Sequence, residues 1–350
     1  MSNDKKKNIL ELDRKELTSW LGTRKIESYR ADQILKWIYL RQTDKFDRMT
    51  DIAKDIRPLL EDHFTIGRLQ KEKVEISKDG SQKYLFKLED GKRIESVLIP
   101  ERDHYTLCIS SQAGCAQDCR FCLTARGGFQ RNLSKAEIVS QVRDIKHQVE
   151  DSMPLSNLVF MGMGEPLANY KNLVDAIEVI TDSSCGLGFA GRRVTVSTAG
   201  LVSRLAALGR DTKVNLAISL NATDNDTRNR LMPINRKFPI EKLLKACQRF
   251  PLPGGRRITF EYVLLKEVND SVEDAHRLVK LLRPVKSKIN LIPFNPYEGC
   301  QYQRPDEDAI LRFQKILIDK NYTVMIRRSK GQDISAACGQ LAGKLGIPNT

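Results

Sequence analysis

The sequence predicts an α/β protein: an open, partial barrel of parallel strands, preceded by a small helical accessory domain and a β-hairpin extension. Three observations carry this. From about residue 106 strand-like and amphipathic helical stretches alternate, residues 10 to about 65 carry helical apolar spacing, and two alternating runs between them flank Asp90-Gly91.

In the accessory part, Asp13 is placed to cap a helix through Glu16-Leu-Thr-Ser-Trp-Leu21, and Tyr29-Arg-Ala-Asp-Gln-Ile-Leu-Lys-Trp-Ile-Tyr39 reads as a second helix. Trp20, Trp37 and Tyr39 are expected to fill its core; stacking on nucleic-acid bases is the sharper alternative. The run Lys83 to Ile99 turns at Asp90-Gly91 and predicts a hairpin. The expected divisions are 1–75, the helical accessory domain; 76–100, the hairpin; and 101–350, the barrel domain.

Expected barrel strands are Thr106–Ser110, Asn157–Met161, Arg193–Ser197, Val214–Leu220, Ile258–Leu264, Lys288–Ile292 and Tyr322–Ile326, with helices such as Lys135–Val149, Leu173–Thr181 and Ile240–Arg249 between them. Six or seven such units are too few to close an eight-unit barrel, and ligands of parallel sheets sit at the carboxyl ends of the strands.

Composition narrows the function. A hydrophobic fraction of 41% without a long apolar run argues against a membrane span, and no apolar signal core follows the N-terminus, so a cytoplasmic protein is expected. In that reducing compartment eight cysteines suggest ligands and chemistry rather than structural disulfides. A net charge of +14 favours a polyanionic partner. Basic clusters recur at Lys5-Lys6-Lys7, Arg192-Arg193, Arg256-Arg257 and Arg327-Arg328-Ser329-Lys330; the last three flank predicted strands and are candidates for a rim, although solvated faces look the same.

The chemistry concentrates in Gly114-Cys-Ala-Gln-Asp-Cys-Arg-Phe-Cys-Leu123. The C-x3-C-x2-C spacing of Cys115, Cys119 and Cys122 suits three irons of a [4Fe–4S] cluster and leaves the fourth open, whereas an electron carrier uses four thiolates. A zinc site would want a second pair of ligands, and none lies near. Further along, Met161-Gly-Met-Gly-Glu-Pro-Leu167 follows the second strand; Gly162 and Gly164 let backbone approach a ligand, and Glu165 suits an amino group. Val194-Thr-Val-Ser-Thr-Ala-Gly200, Ile218-Ser-Leu-Asn-Ala222 and Pro293-Phe-Asn-Pro296 bring small polar groups to the same edge. Any one is an ordinary turn; together they suggest a shared pocket.

Of the remaining cysteines, Cys185, Cys247 and Cys300 read as ordinary buried residues. Cys338 differs, lying in a small polar segment downstream of Arg327, Arg328 and Lys330, where positive charge favours thiolate. Cys108 lies in the first strand.

These segments resemble the RlmN/Cfr family of radical S-adenosylmethionine (SAM) RNA methyltransferases. The resemblance rests on Cys108-Ile-Ser-Ser-Gln-Ala-Gly-Cys115, the cysteine loop, Arg131-Asn-Leu133, Phe160-Met-Gly-Met-Gly-Glu-Pro-Leu-Ala-Asn169, Leu231-Met-Pro-Ile-Asn235 and Asp333-Ile-Ser-Ala-Ala-Cys-Gly-Gln-Leu341, and extends to Tyr29-Arg-Ala-Asp-Gln-Ile34. It implies a partial (β/α)6-type radical SAM barrel, a cluster on Cys115, Cys119 and Cys122, and SAM contacts from Gly164, Glu165, Ser197, Ser219, Leu220, Asn221 and Asn295. Asn221 stands where the family commonly has histidine. The family's route implies two SAM per turnover: one methylates Cys338, the other yields a radical that activates the S-methyl group for addition to adenine. Cys108 then resolves the protein–RNA crosslink by forming a disulfide with Cys338, and Glu95 is the proton acceptor. Implied partners are 23S rRNA, tRNA and a one-electron reductant such as flavodoxin or ferredoxin, with the protein a monomer. Gly-Glu-Pro-Leu and Ser-Ser-Gln-Ala-Gly look closer to the adenine-C2 branch than to the C8, antibiotic-resistance branch. A non-catalytic iron–sulfur RNA-binding module would share the charge and the cysteine triad but would need neither the Gly-Glu-Pro turn nor Cys338.

Overall fold

Ten strands lie in one sheet in a computed structural model that describes residues 6–149 and 153–343; Lys5 of the first basic cluster lies outside the described residues. Seven strands run parallel and pair in chain order: Tyr105–Cys108, Leu155–Phe160, Val194–Thr198, Asn215–Ser219, Ile258–Leu264, Ser287–Pro293 and Val324–Ile326. Between successive strands lie the helices Lys135–Val149, Tyr170–Thr181, Val202–Asp211, Ile240–Gln248, Val272–Leu282 and Glu307–Asp319. The first and last parallel strands are not paired with each other, so the barrel is open as expected. Each helix packs an apolar stripe on the sheet; in Val272–Leu282 it is Ala275, Leu278 and Leu282, and each buried leucine contributes about 1.5–3 kcal/mol.

At its other edge the sheet continues antiparallel through Arg93–Pro100, Gln82–Lys87 and Gln70–Ile76. The first two form the predicted hairpin, with Gly91 at φ +81° in a turn that disfavours a side chain. The third was not anticipated. Gln70–Ile76 carries Lys and Glu on an exposed edge, a pattern that protects an edge strand but hides its alternation. It lies across the expected boundary at 75, so the last strand before the hairpin belongs to the sheet and not to the helical part.

The accessory helices are Arg14–Gly22, Tyr29–Tyr39 and Ile56–His63. Asp13 caps the first: its carboxylate accepts from Glu16 N–H at 2.7 Å while Glu16 accepts from Asp13 N–H at 2.8 Å. Tyr39 is buried, and Trp20 and Trp37 pack on the core with Arg24 and Arg41 over their outer faces, as the core-filling reading predicts. Arg143, fully buried in the first barrel helix, docks this part: it donates to the carbonyls of Ile38, Thr43 and Gly67. Arg68 and Asp144 add an ion pair at 2.8 Å.

The parallel order corrects one expectation about charge. Arg192-Arg193 and Arg256-Arg257 both precede their strands, Val194–Thr198 and Ile258–Leu264, and so sit at the amino-terminal face. Among these clusters only Arg327-Arg328-Ser329-Lys330 follows a carboxyl end, that of Val324–Ile326, and reaches the ligand-binding side.

Candidate active site at the strand ends

One cavity, with about 1000 Å3 of unfilled space partly open to solvent, occupies the carboxyl ends of the strands. Its wall holds Cys115, Cys119 and Cys122 from the loop after the first strand, and Gly164 and Glu165 after the second. Ser197, Ser219, Asn221, Asn295 and Cys338 complete the predicted set that it brings together. Leu220, Cys108 and Glu95 are not in that wall.

The Gly-Glu-Pro turn is built by backbone constraints. Gly164 has φ +100°, and a β-carbon there would meet Gln112 at 2.5 Å. That glutamine accepts from Glu165 N–H at 2.8 Å, so the turn is held against the short strand Gln112–Gly114 that leads into the cysteine loop. The Glu165 carboxylate is buried and accepts from Leu167 N–H at 3.0 Å and Ala199 N–H at 2.7 Å. Burial nevertheless raises its proton affinity. Each oxygen keeps a second lone pair for a cationic group in the cavity.

The three thiols sit on one wall rather than around a single point: among the described residues no three His, Cys, Asp or Glu side chains gather closely enough to hold one ion. A cluster asks for no such convergence, because each thiolate takes a different iron. Burial pushes the Cys115 thiol up to about 12 and raises those of Cys119 and Cys122, so deprotonation needs the positive charge that iron supplies. The donor set, the open cavity beside it and the Gly164–Glu165 cradle fit a three-thiolate cluster with SAM next to it.

Several predicted residues also hold the fold together around the cavity. Asn221 adopts φ +57°, a left-handed conformation that asparagine tolerates better than most residues. Its side-chain oxygen accepts from Val263 N–H at 2.8 Å and its amide faces Met232 Sδ, so the side chain ties two strand ends together. Leu220 is core; its N–H donates to Glu261 O at 3.0 Å, leaving only backbone near the site. Asn295 accepts from Gln332 at 3.0 Å, which links the sixth strand end to the Cys338 segment.

Glu95 is buried under that segment, where one carboxylate oxygen accepts from Ala342 N–H at 2.8 Å and Gly343 N–H at 3.1 Å. Its other oxygen lies 3.6 Å from buried Lys83, whose ammonium also donates to Ile334 O at 2.5 Å. In this conformation Glu95 is a clasp.

Cys338 reaches solvent through the cavity, yet enough protein surrounds it that burial raises its thiol, with Arg327 acting in the opposite direction. Cys108 is 8% exposed and pushed up to about 12 by burial, again opposed by Arg327. Arg327 therefore serves both thiols. All eight cysteines are free thiols. Sequence reasoning missed Glu261, which is 5% exposed, lines the cavity, and has one oxygen bonded to Asn290 at 2.9 Å and the other without a protein partner. The available signal was a single carboxylate inside the apolar strand Ile258–Leu264.

Known proteins share these features. The profile described as "Radical SAM superfamily" matches residues 109–279, and that described as "Ribosomal RNA large subunit methyltransferase N-terminal domain" matches residues 7–66. The "Dual-specificity RNA methyltransferase RlmN" of Desulfosudis oleivorans is 56% identical over 337 residues, 96% of this chain and 91% of that one. The protein of the same description from Geobacter sulfurreducens is 56% identical over 330 residues, 94% and 90% of the two chains. The crystal structure of a radical SAM methyltransferase from Sphaerobacter thermophilus superimposes with a TM-score of 0.91 at 40% identity, covering 97% of this chain and 100% of that one.

Fold and site together define a radical SAM enzyme. Within that class the chain belongs to the RlmN family of RNA methyltransferases. Enzymes of this family use a [4Fe–4S] cluster and two SAM per turnover, and so does this one. No helix among the described residues is long and apolar enough to cross a membrane.

Proposed function

We propose that the protein methylates carbon 2 of an adenosine in 23S rRNA, at the peptidyl-transferase centre, and of an adenosine beside the anticodon of certain tRNAs. The dual specificity in the relatives' description supports two RNA substrates, and the Gly-Glu-Pro-Leu form favours C2 over C8. The observation that carries the reading is the accessible Cys338 thiol, which shares one cavity wall with Cys115, Cys119, Cys122 and the Gly164–Glu165 turn.

When bound, the cluster and SAM supply the methyl group and the radical that activates it. The chain's own residues do the rest. Glu165 and the polar groups of Ser197, Ser219 and Asn295 orient SAM. Cys338 takes up the methyl group and loses its thiol proton, aided by Arg327. Cys108 resolves the crosslink by attacking the Cys338 sulfur; the bond from that sulfur to the methylene carbon breaks, the carbon keeps the electron pair and takes a proton to become the new methyl group, and the disulfide formed is returned to two thiols by an external dithiol. Glu95 accepts the proton displaced from the adenine ring, which requires the 342–343 backbone to lift from its carboxylate. The helical accessory part, residues 7–66, and the Arg327-Arg328-Lys330 mouth meet the RNA. A flavodoxin or ferredoxin delivers the electrons to the monomer in the cytoplasm.

The test is anaerobic reconstitution with iron and sulfide, then incubation with SAM, reductant and unmodified 23S rRNA fragment or tRNA. Nucleoside mass spectrometry against 2-methyladenosine and 8-methyladenosine standards reads the result. The first product supports the proposal, the second moves the protein to the C8 branch, and neither product from a loaded, SAM-cleaving enzyme overturns the substrate assignment.

A further inference from the structure

Leu231-Met-Pro-Ile-Asn235 contributes only Met232 to the cavity wall, yet the whole segment is organised around Arg228 in the short helix Asn225–Leu231. Arg228 is 0% exposed. Its Nε donates to Leu220 O at 2.9 Å, and Nη2 donates to Ala199 O at 2.8 Å and Ser219 O at 3.0 Å. Nη1 donates to Asn235 Oδ1 at 2.9 Å. Asn235 is oriented for this by donating to Asn225 Oδ1 at 3.0 Å and Asn229 Oδ1 at 2.8 Å. Among the described residues no carboxylate pairs with the guanidinium. Four of its five N–H groups have acceptors; its charge has no partner of opposite sign.

A buried cation without a counter-ion is costly, because carbonyl dipoles replace only part of its hydration. The missing negative charge has an evident place. The cysteine loop lies against the same helix: Arg120 N–H donates to Leu231 O at 2.9 Å, and Cys119 and Phe121 pack against the small apolar cluster of Leu231, Met232, Leu265 and Phe294. Burial pushes Arg228 down to about 10, with Cys119 and then Cys247 acting in the opposite direction.

We propose that Arg228 is the built-in counter-ion of the iron–sulfur cluster: the carboxylate-free guanidinium offsets the negative charge gathered on Cys115, Cys119 and Cys122, and raises the reduction potential. Reduction adds one more negative charge beside a fixed positive one in a region of low dielectric, which favours the reduced form. Asn235 is then an asparagine because it must orient Arg228 without neutralising it. Arg228 is a positioning and potential-setting residue, and the inference rests on the cluster that family membership establishes, not on the methyl-carrier roles or the RNA target.

The experiment reconstitutes wild type, Arg228→Lys, Arg228→Met and Asn235→Asp, confirms equal iron loading, and measures midpoint potentials by EPR-monitored redox titration. Arg228→Met and Asn235→Asp are expected to disfavour reduction at least tenfold, about 59 mV for a one-electron couple. Arg228→Lys, which keeps the charge but not the fork of hydrogen bonds, is expected to stay within threefold of wild type. If Arg228→Met does not fold, Asn235→Asp carries the test alone. That substitution leaves the guanidinium and its acceptors in place, and the Asn225 and Asn229 groups that it frees are partly solvent-accessible. Equal potentials in wild type and the loaded neutralising variants overturn the proposal, as does a lysine variant that falls as far as methionine. A loaded wild-type enzyme with a normal potential and no RNA product counts against the substrate reading instead.

Discussion

Glu95 and Ala342 are 247 residues apart in the chain, yet the Glu95 carboxylate accepts the Ala342 N–H at 2.8 Å. The contact fastens the segment carrying Cys338 to the hairpin. Glu95→Ala should release it, giving at least tenfold faster amide exchange at Ala342 and Gly343, since breaking a buried charged hydrogen bond costs about 1.5–3 kcal/mol. Exchange mass spectrometry of the C-terminal peptide checks this; unchanged protection would mean that other contacts hold the segment.

Cys338→Ala should lose RNA methylation completely while retaining wild-type iron content and visible absorption. The paired readings separate a lost carrier from a lost cluster. Product from this variant would remove Cys338 from the carrier role.

With Cys108→Ala, resolution should stop after the crosslink has formed, so protein and RNA should stay covalently joined through denaturing electrophoresis. Free RNA alone, with an active cluster, would count against the resolving role.

Gly164→Ala should be damaging despite its small size. The added carbon would meet Gln112 at 2.5 Å at a residue with φ +100°, strain of about 1–3 kcal/mol. The turn should move and SAM affinity fall, in calorimetry, by at least fivefold. Unchanged affinity would show that the turn absorbs the strain.

Acid should loosen the Cys338 segment before the barrel. Burial alone would raise the Asp79 carboxyl, but bonds from Gly331 N–H and from Ser81 and Ser77 outweigh it and hold it below its ordinary 3.8. A depressed carboxylate contributes stability that is present above its unfolded value and lost as pH falls through the folded one. Exposed Asp333, bonded to Ser77 Oγ at 2.6 Å, shifts the same way. Protease sensitivity near residues 331–335 should therefore rise below about pH 4, and Asp79→Asn should show it already at neutral pH. A segment cut no faster at pH 3 than at pH 7 would refute the anchor.

What the sequence by itself determined is local. The seven parallel strands, the Asp13 cap, the Asp90-Gly91 hairpin and the C-x3-C-x2-C loop each depend on spacing within a short stretch, where chain geometry alone sets which side chains share a face. Because parallel strands present their carboxyl ends together, the convergence of Cys115, Gly164, Ser197 and Ser219 was legible too. The tertiary structure decided the rest. It placed Gln70–Ile76 in the sheet, sent Arg192 and Arg256 to the far face, made Glu95 a clasp, turned the Asn221 side chain to Val263, and exposed Glu261 and Arg228 as buried charges at the site. Those positions depend on which elements pack together across long stretches of chain. A carboxylate or guanidinium reads the same in sequence whether it faces water or an interior, and only burial gives its charge a consequence.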